Sequence, residues 1–250
     1  LLPGETWKGV LSDTILHPLL WNNERPHLYT LKLELSQNAE ITEIVTKRFG
    51  FREIEIRGNE LFVNGQSVKL RGVCRHEAHP TTGRILTEAL QREDVELYRA
   101  ANCNFIRTSH YPPAEEMLEI CDELGMFVEL EAPVCWIGHH ANENWTRLNY
   151  QDSIYYPYIL QANMETIHFY RNHPSILFWS MANESFWNRE FAQIQEYVYK
   201  ADPTRPHTFH DQAYGGFNNQ GSNAPVANIH YPGPNGYKTA AQSDRPMIYG

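Results

Sequence analysis

The sequence predicts an α/β fold: a (β/α)8 TIM barrel, incomplete at its C-terminal end and preceded by the last part of a β-sandwich. Three observations predict it. From residue 58 onward, short apolar runs alternate with segments of helical length, the pattern of a parallel sheet with right-handed crossovers. Each apolar run ends in polar and aromatic residues, as strands do at the active end of a barrel. Residues 1–57 instead alternate apolar and polar with a period of two and carry no helical segment. The predicted division is therefore 1–57 for the sandwich and 58–250 for the barrel. A doubly wound sheet is the other α/β arrangement, but no Gly-x-Gly-x-x-Gly follows the first strand.

Leu28 to Leu35 is the clearest sandwich strand, and Ile41 to Val45 and Phe49 to Ile56 continue the alternation. Asn64-Gly65 between apolar stretches marks a hairpin, since both central positions of a type I′ turn require positive φ. Val68 to Val73 is the expected first barrel strand, leading into a loop dense in ionisable groups, Arg71 to Pro80. Thr87 to Ala101 reads as a helix capped by Thr87. Phe105 to Thr108 is a strand, and Ala114 to Leu124 a helix stopped by Gly125. Met126 to Glu131 is a strand, followed by a long loop through Trp136, His139, His140 and Trp145. A helix over Tyr155 to Tyr170, strands at Ser175–Trp179, His207–His210 and Ala227–His230, and the start of another at Pro246–Gly250 complete the series.

Composition excludes several classes of function. The net charge of −9 over 250 residues gives no basic stripe for nucleic acid. No apolar run reaches the length of a membrane span. Leu1-Leu2-Pro3 does not read as a natural start, so the compartment is left open, as is the oligomeric state. The four cysteines have no Cys-x-x-Cys spacing, and buried, reduced thiols are expected. Tryptophans and tyrosines crowd the loops after strands, where they can stack on sugar rings or pack a core.

Chemistry concentrates after Ser175–Trp179, a run apolar enough for a strand buried on both faces. It ends on Asn183-Glu184. A carboxylate at the mouth of a buried strand is costly unless it is hydrogen-bonded or catalytic. Glu184 is thus a candidate general acid/base, with capping of the next helix, from Phe186, as the structural alternative.

The motifs resemble those of glycoside hydrolase family 2, the family of β-galactosidases, β-glucuronidases and β-mannosidases. Asn104-Phe-Ile-Arg-Thr-Ser-His-Tyr-Pro112, with Asp122 and Gly125 following, is similar to the family's first signature. Arg171-Asn-His-Pro-Ser-Ile-Leu-Phe-Trp-Ser-Met-Ala-Asn-Glu184 is similar to its second. The loop from Arg71 to Pro80 resembles the one after the family's first barrel strand, although Asn is usual where Cys74 stands. The resemblance makes the leading domain an immunoglobulin-like sandwich and implies a retaining exo-β-glycosidase working by double displacement. Glu184 is then the general acid/base, with a raised pKa, and Asn183 the partner of the sugar 2-hydroxyl. The nucleophile is expected immediately after Gly250, in a context like Pro-Met-Ile-Tyr-Gly-Glu, so the 250-residue chain by itself is expected to be inactive.

The same resemblance makes His110 and His79 sugar contacts and Arg107 an orienting partner of the carboxylates. Tyr231 is expected to hydrogen-bond the nucleophile, with His230 lining the pocket, and Trp136, Trp145 and Trp187 are candidate stacking surfaces. Glu131 either touches substrate or supports the site from behind. The galactosidase branch holds magnesium through a Glu-x-His after strand three. Here Glu131-Ala-Pro-Val-Cys-Trp136 stands in its place, so no metal and no cofactor are assigned. The implied partner is a carbohydrate, most simply a β-galactoside. A β-glucuronidase-type specificity, or a non-catalytic sugar-binding protein on the same scaffold, are the alternatives.

Overall fold

The computed structural model describes residues 4–138, 154–211 and 222–250. β1 (Tyr29–Gln37) and β2 (Glu40–Phe49) pair antiparallel as a largely exposed ribbon. β3 (Ile54–Arg57), β4 (Glu60–Val63) and β5 (Gln66–Val68) form a separate antiparallel sheet. Its β4–β5 turn places Asn64 and Gly65 at φ of 52° and 74°, the positive pair expected of a type I′ hairpin.

Strands and helices then alternate: β6 (Gly72–Arg75), α1 (Glu88–Ala100), β7 (Phe105–Thr108), α2 (Glu115–Leu124) and β8 (Phe127–Glu131). After these come α3 (Tyr156–Tyr170), β9 (Ile176–Ser180), α4 (Arg189–Ala201), β10 (His207–Thr208), β11 (Ala227–Ile229), α5 (Gly236–Ala240) and β12 (Met247–Tyr249). β6 to β10 form one parallel sheet in sequential order, and β11 and β12 a second parallel pair. A parallel bridge from Thr208 to Val226 joins the two. The wall is therefore that of an incomplete TIM barrel. A cavity of about 410 Å³ opens between β6 and β12, lined in part by Val73, Phe105, Val226 and Ile248.

Two expectations shift. The run from Val68 to Val73 is not one strand: Val68 closes the hairpin and β6 starts at Gly72. The backbones meet so closely there that a Cβ on Gly72 would lie 1.7 Å from the Phe105 carbonyl oxygen. Helix α4 begins at Arg189 rather than Phe186, because Asn188 caps it, its Oδ1 accepting from the Phe191 N–H at 3.0 Å. Thr87 caps α1 and left-handed Gly125 ends α2, as expected.

The barrel interior changes character along its axis. Phe105, Phe127 and Phe178 fill the base, while Val95, Met117, Leu130, Ile167 and Ile194 pack the strands against the helices. With a period of two, the positions above Phe105 and Phe127 are Arg107, Glu129 and Glu131. The polar cluster at the C-terminal ends is thus a direct product of strand alternation.

Candidate active site

Arg107 on β7 is the hub. Its Nε and Nη2 donate to Glu131 Oε2 at 2.9 and 2.7 Å, and Nη2 also donates to Asn183 Oδ1 at 2.7 Å. Glu131 on β8 further accepts from His110 Nδ1 at 2.6 Å and from the Ser180 hydroxyl at 2.6 Å. All of this lies at full or near-full burial, apart from His110. Burial alone would raise the Glu131 carboxyl, but the Arg107 charge and the bonds from His110 and Ser180 outweigh it and hold it below its ordinary value. The same carboxylates hold Arg107 firmly charged despite its burial. Glu131 is therefore bonded to both Arg107 and His110.

Glu184 sits four residues past β9, 7% exposed, at a φ of 39°. Trp136, in the loop after β8, donates its indole N–H to Glu184 Oε2 at 2.8 Å. The Tyr231 hydroxyl, after β11, donates to Glu184 Oε1 at 3.2 Å, and His230 Nδ1 lies 3.8 Å from the same oxygen. Trp136 and Tyr231 also hold positive φ, 60° and 46°, a backbone conformation unfavourable for such residues and common where structure serves function. Tyr231, the expected partner of the nucleophile, here bonds Glu184. The Glu184 charge pushes the Tyr231 phenol up, so it stays a donor at neutral pH.

Two further residues, unremarked in the sequence, join this cluster. Glu129 on β8 is fully buried and meets His210 Nε2 at 2.5 Å, and His210 Nδ1 meets His230 Nε2 at 2.8 Å. Burial drives the Glu129 carboxyl up to about 8, with Arg107 opposing. Burial, then the positive Arg107, holds His210 neutral. The signal was available: Val128-Glu-Leu-Glu131 puts two carboxylates on one face of a strand otherwise apolar. Ligand atoms of Glu129, Glu131 and His210 lie within 4.8 Å of one another. The Arg107 guanidinium already supplies the positive charge there, 3.8 Å from Glu129 and in contact with Glu131, so the cluster reads as a hydrogen-bond network.

His79 stands apart. Its backbone bridges Gly83 and its ring bonds Thr81 and Thr82 of its own loop. His76 packs edge-on against the His110 ring at 5.2 Å. Trp187 packs against Phe191 and Phe209, which accounts for it as core. Cys121 is buried as expected, but Cys74 and Cys135 are exposed: Cys74 lines the cavity between β6 and β12, and Cys135 lies in the loop after β8. Cys135 Sγ accepts from Asn183 Nδ2 at 3.3 Å. His139, His140, Trp145 and the stretch 214–221 lie outside the described residues. No described helix is long and apolar enough to cross a membrane.

A parallel barrel with its polar residues converging at the C-terminal strand ends belongs to the class of TIM-barrel proteins that carry their sites there. Comparison with known proteins narrows the class. The pattern described as glycosyl hydrolases family 2, TIM barrel domain, matches residues 54–232, and that of glycosyl hydrolases family 2 matches 5–52. The chain belongs to glycosyl hydrolase family 2. It is 34% identical over 205 residues to a protein of Formosa agariphila named "Putative beta-glucuronidase", covering 76% of this chain and 24% of that one. It is 37% identical over 193 residues to the β-galactosidase large subunit of Latilactobacillus sakei, covering 74% and 30%. Among solved structures, Bifidobacterium dentium β-glucuronidase complexed with coumarin-3-O-glucuronide superposes with a TM-score of 0.79 at 25% identity, over 94% of this chain and 42% of that one. Further curated relatives include β-galactosidases, and further solved ones include β-glucuronidases. The chain spans about a quarter of the length of the first curated relatives.

Proposed function

We propose that this chain supplies the acid/base half of a retaining exo-β-glycosidase, with residues 1–57 as the end of a sandwich and 58–250 as barrel. The observation that carries the reading is Glu184, held between Trp136 and Tyr231 at a strand end, beside an Asn183 aimed by Arg107. In this reading Glu184 protonates the leaving oxygen and then deprotonates water. Asn183 bonds the sugar 2-hydroxyl, and His110 and Trp136 line the sugar subsite. The nucleophile is a carboxylate about 5 Å away. Gly250 supports a place for it: a Cβ there would lie 2.8 Å from both His210 Nδ1 and His230 Nε2. A glutamate attached after Gly250 would enter the site beside them.

For the sugar, we favour a terminal β-uronide. The first curated relative and most of the solved relatives bear uronidase names, and the magnesium-binding Glu-x-His of the galactosidase branch is absent after Glu131. β-Galactosides are the second reading, supported by the names of the other curated relatives. The test is a panel of nitrophenyl β-glycosides on the full-length protein. Hydrolysis of the glucuronide or galacturonide with retained anomeric configuration is expected. Glu184→Ala should then lose about 10²–10⁴-fold in kcat on poor leaving groups, with azide restoring turnover on activated ones. Binding of sugars without hydrolysis of any of them would leave a sugar-binding protein.

A further inference from the structure

We propose that Glu129 is a buried proton donor to Glu184, connected to it by His210 and His230 acting as a two-imidazole relay. This rests on the acid/base reading of Glu184.

With both rings neutral and any Glu129 proton on Oε1, the network has two states. His210 Nδ1 and His230 Nε2 are 2.8 Å apart, so one must carry the hydrogen and the other accept it. His210 is fully buried beside the Arg107 charge and stays neutral, with one N–H only. If His210 Nδ1 donates, its Nε2 is an acceptor, and Glu129 Oε1 at 2.5 Å must bring an O–H. If His210 Nε2 donates, Glu129 is ionised. Burial favours the first state up to about pH 8. The other oxygen agrees with it: Glu129 Oε2 is buried with no hydrogen-bond partner among the described residues, tolerable for a neutral acid and costly for a carboxylate. In this state His230 carries its hydrogen on Nδ1, which lies 3.8 Å from Glu184 Oε1. A ring shift of about 1 Å brings that gap to hydrogen-bond length.

Transfer then balances without any outside reagent. The Glu129 O–H breaks as His210 Nε2–H forms. The His210 Nδ1–H breaks as His230 Nε2–H forms. The His230 Nδ1–H breaks as Glu184 Oε1–H forms. Both rings end neutral in the other tautomer, and one proton has moved from Glu129 to Glu184. Among the described residues, the charged and titratable groups facing the relay are Arg107 and Glu131 at Glu129, with Arg107 and His110 at His210, and the proposed nucleophile would stand beside both rings. Tyr231 and Cys135 face Glu184. Gly250 leaves room for the relay, because a Cβ there would lie 2.8 Å from both bonded ring nitrogens.

A single proton shared by Glu129 and Glu184 is held to higher pH than either carboxyl would hold one alone. Glu129 thereby keeps the general acid supplied through neutral pH, and it is a positioning residue in this role.

The experiment is a pH profile of kcat/KM in the full-length protein. Glu129→Gln is expected to move the alkaline limb down by about one pH unit, so that its loss at pH 8 is about tenfold greater than at pH 6. His210→Phe, which leaves Glu129 in place, is expected to give the same displacement, and the double variant no more than either. A loss equal at every pH, or displacements that add, overturns the relay. A second measurement does not depend on turnover or on variants folding. In wild-type protein labelled with ¹⁵N-histidine, His210 and His230 should exchange tautomers together near pH 8. Tautomers fixed from pH 6 to 9 overturn the relay whatever the activity. A concerted exchange in a protein that hydrolyses no glycoside keeps the relay's proton coupling and removes the glycosidase reading instead.

Discussion

Glu129 and Glu131 lie two residues apart on β8, face the same interior and are both wholly buried, yet hold opposite protonation states. What separates them is the placement of Arg107, which bonds Glu131 twice and stands 3.8 Å from Glu129. The difference has a thermodynamic consequence. Between the ordinary value of 4.5 and about 8, Glu129 binds a proton in the folded protein and none in the unfolded chain. Stability that this proton confers is complete below pH 4.5 and is lost as pH rises to about 8, with a slope of up to about 1.4 kcal/mol per pH unit. Urea midpoints of wild type and Glu129→Gln from pH 5 to 9 should show that slope only in the wild type. Glu131 acts with the opposite sign, since its depressed pKa adds stability above the unfolded value that is lost on acidification. Trp136 is a separate control on Glu184. Trp136→Phe keeps the ring and removes the N–H that favours the ionised carboxylate. The alkaline limb of kcat/KM should move up, opposite to Glu129→Gln, with a loss of about two- to tenfold at the optimum.

At the scale of elements, β6 and β7 show how one residue admits a strand. A Cβ at Gly72 would overlap the Phe105 carbonyl, where the β6–β7 ladder must form, and strand backbone cannot yield as a flexible side chain does. Gly72→Ala should cost about 2–3 kcal/mol. Gly83→Ala, at a φ of 66° with open space around it, carries only the strain of a left-handed alanine, about 1–2 kcal/mol. Denaturation midpoints of the two variants test the ordering. These elements also show what was legible beforehand. Phe105–Thr108, the Thr87 cap, the Gly125 stop and the Asn64-Gly65 turn were readable because each is decided within a few residues of sequence. Glu184 and Asn183 were legible because a buried strand ran into them. The boundary between β5 and β6 was not, because it is set by Phe105, thirty-odd residues away. The pairing of Glu129 with His210 spans 81 residues and depends on which strands become neighbours. Likewise, no local pattern told that Cys74 and Cys135 would end exposed, or that the His79 ring would bond Thr81 and Thr82.

Across the whole molecule, chemistry and cohesion occupy opposite ends of the barrel. The C-terminal ends hold Glu184, Arg107 and the paired His210 and His230. The N-terminal end of β9 is held by two guanidinium groups, that of half-buried Arg52 and that of buried Arg205. Arg52, arriving from the sandwich side, donates to the Pro174 and Ile176 carbonyls at 2.7 and 2.8 Å. Arg205 donates to Ile176, Arg171 and His173 and pairs with Asp202 at 2.5 Å. Trp21 adds an indole bond to the Asp122 carbonyl, at the end of α2, while Asp122 itself holds His173 and the Ser175 N–H. These contacts join the leading strands to the base of the barrel, where strand ends serve stability rather than reaction. Replacing Arg52 by Met keeps much of the side-chain volume but leaves two buried carbonyls without this donor. Burial holds the Arg52 pKa well below its usual value, so the guanidinium is itself costly to bury, and its removal recovers part of that cost. The net loss should therefore be moderate, about 1–3 kcal/mol. Because Arg52 is separated from Glu184 by the length of β9, KM and the alkaline limb of kcat/KM should remain those of wild type while the denaturation midpoint falls. Arg107→Lys should divide differently. Lysine cannot bond Glu131 twice and reach Asn183 as the planar guanidinium does, so activity should fall far more than stability accounts for. If Arg52→Met instead shifted the pH profile, the two ends of the barrel would be coupled through β9, and the separation of chemistry from cohesion would not hold.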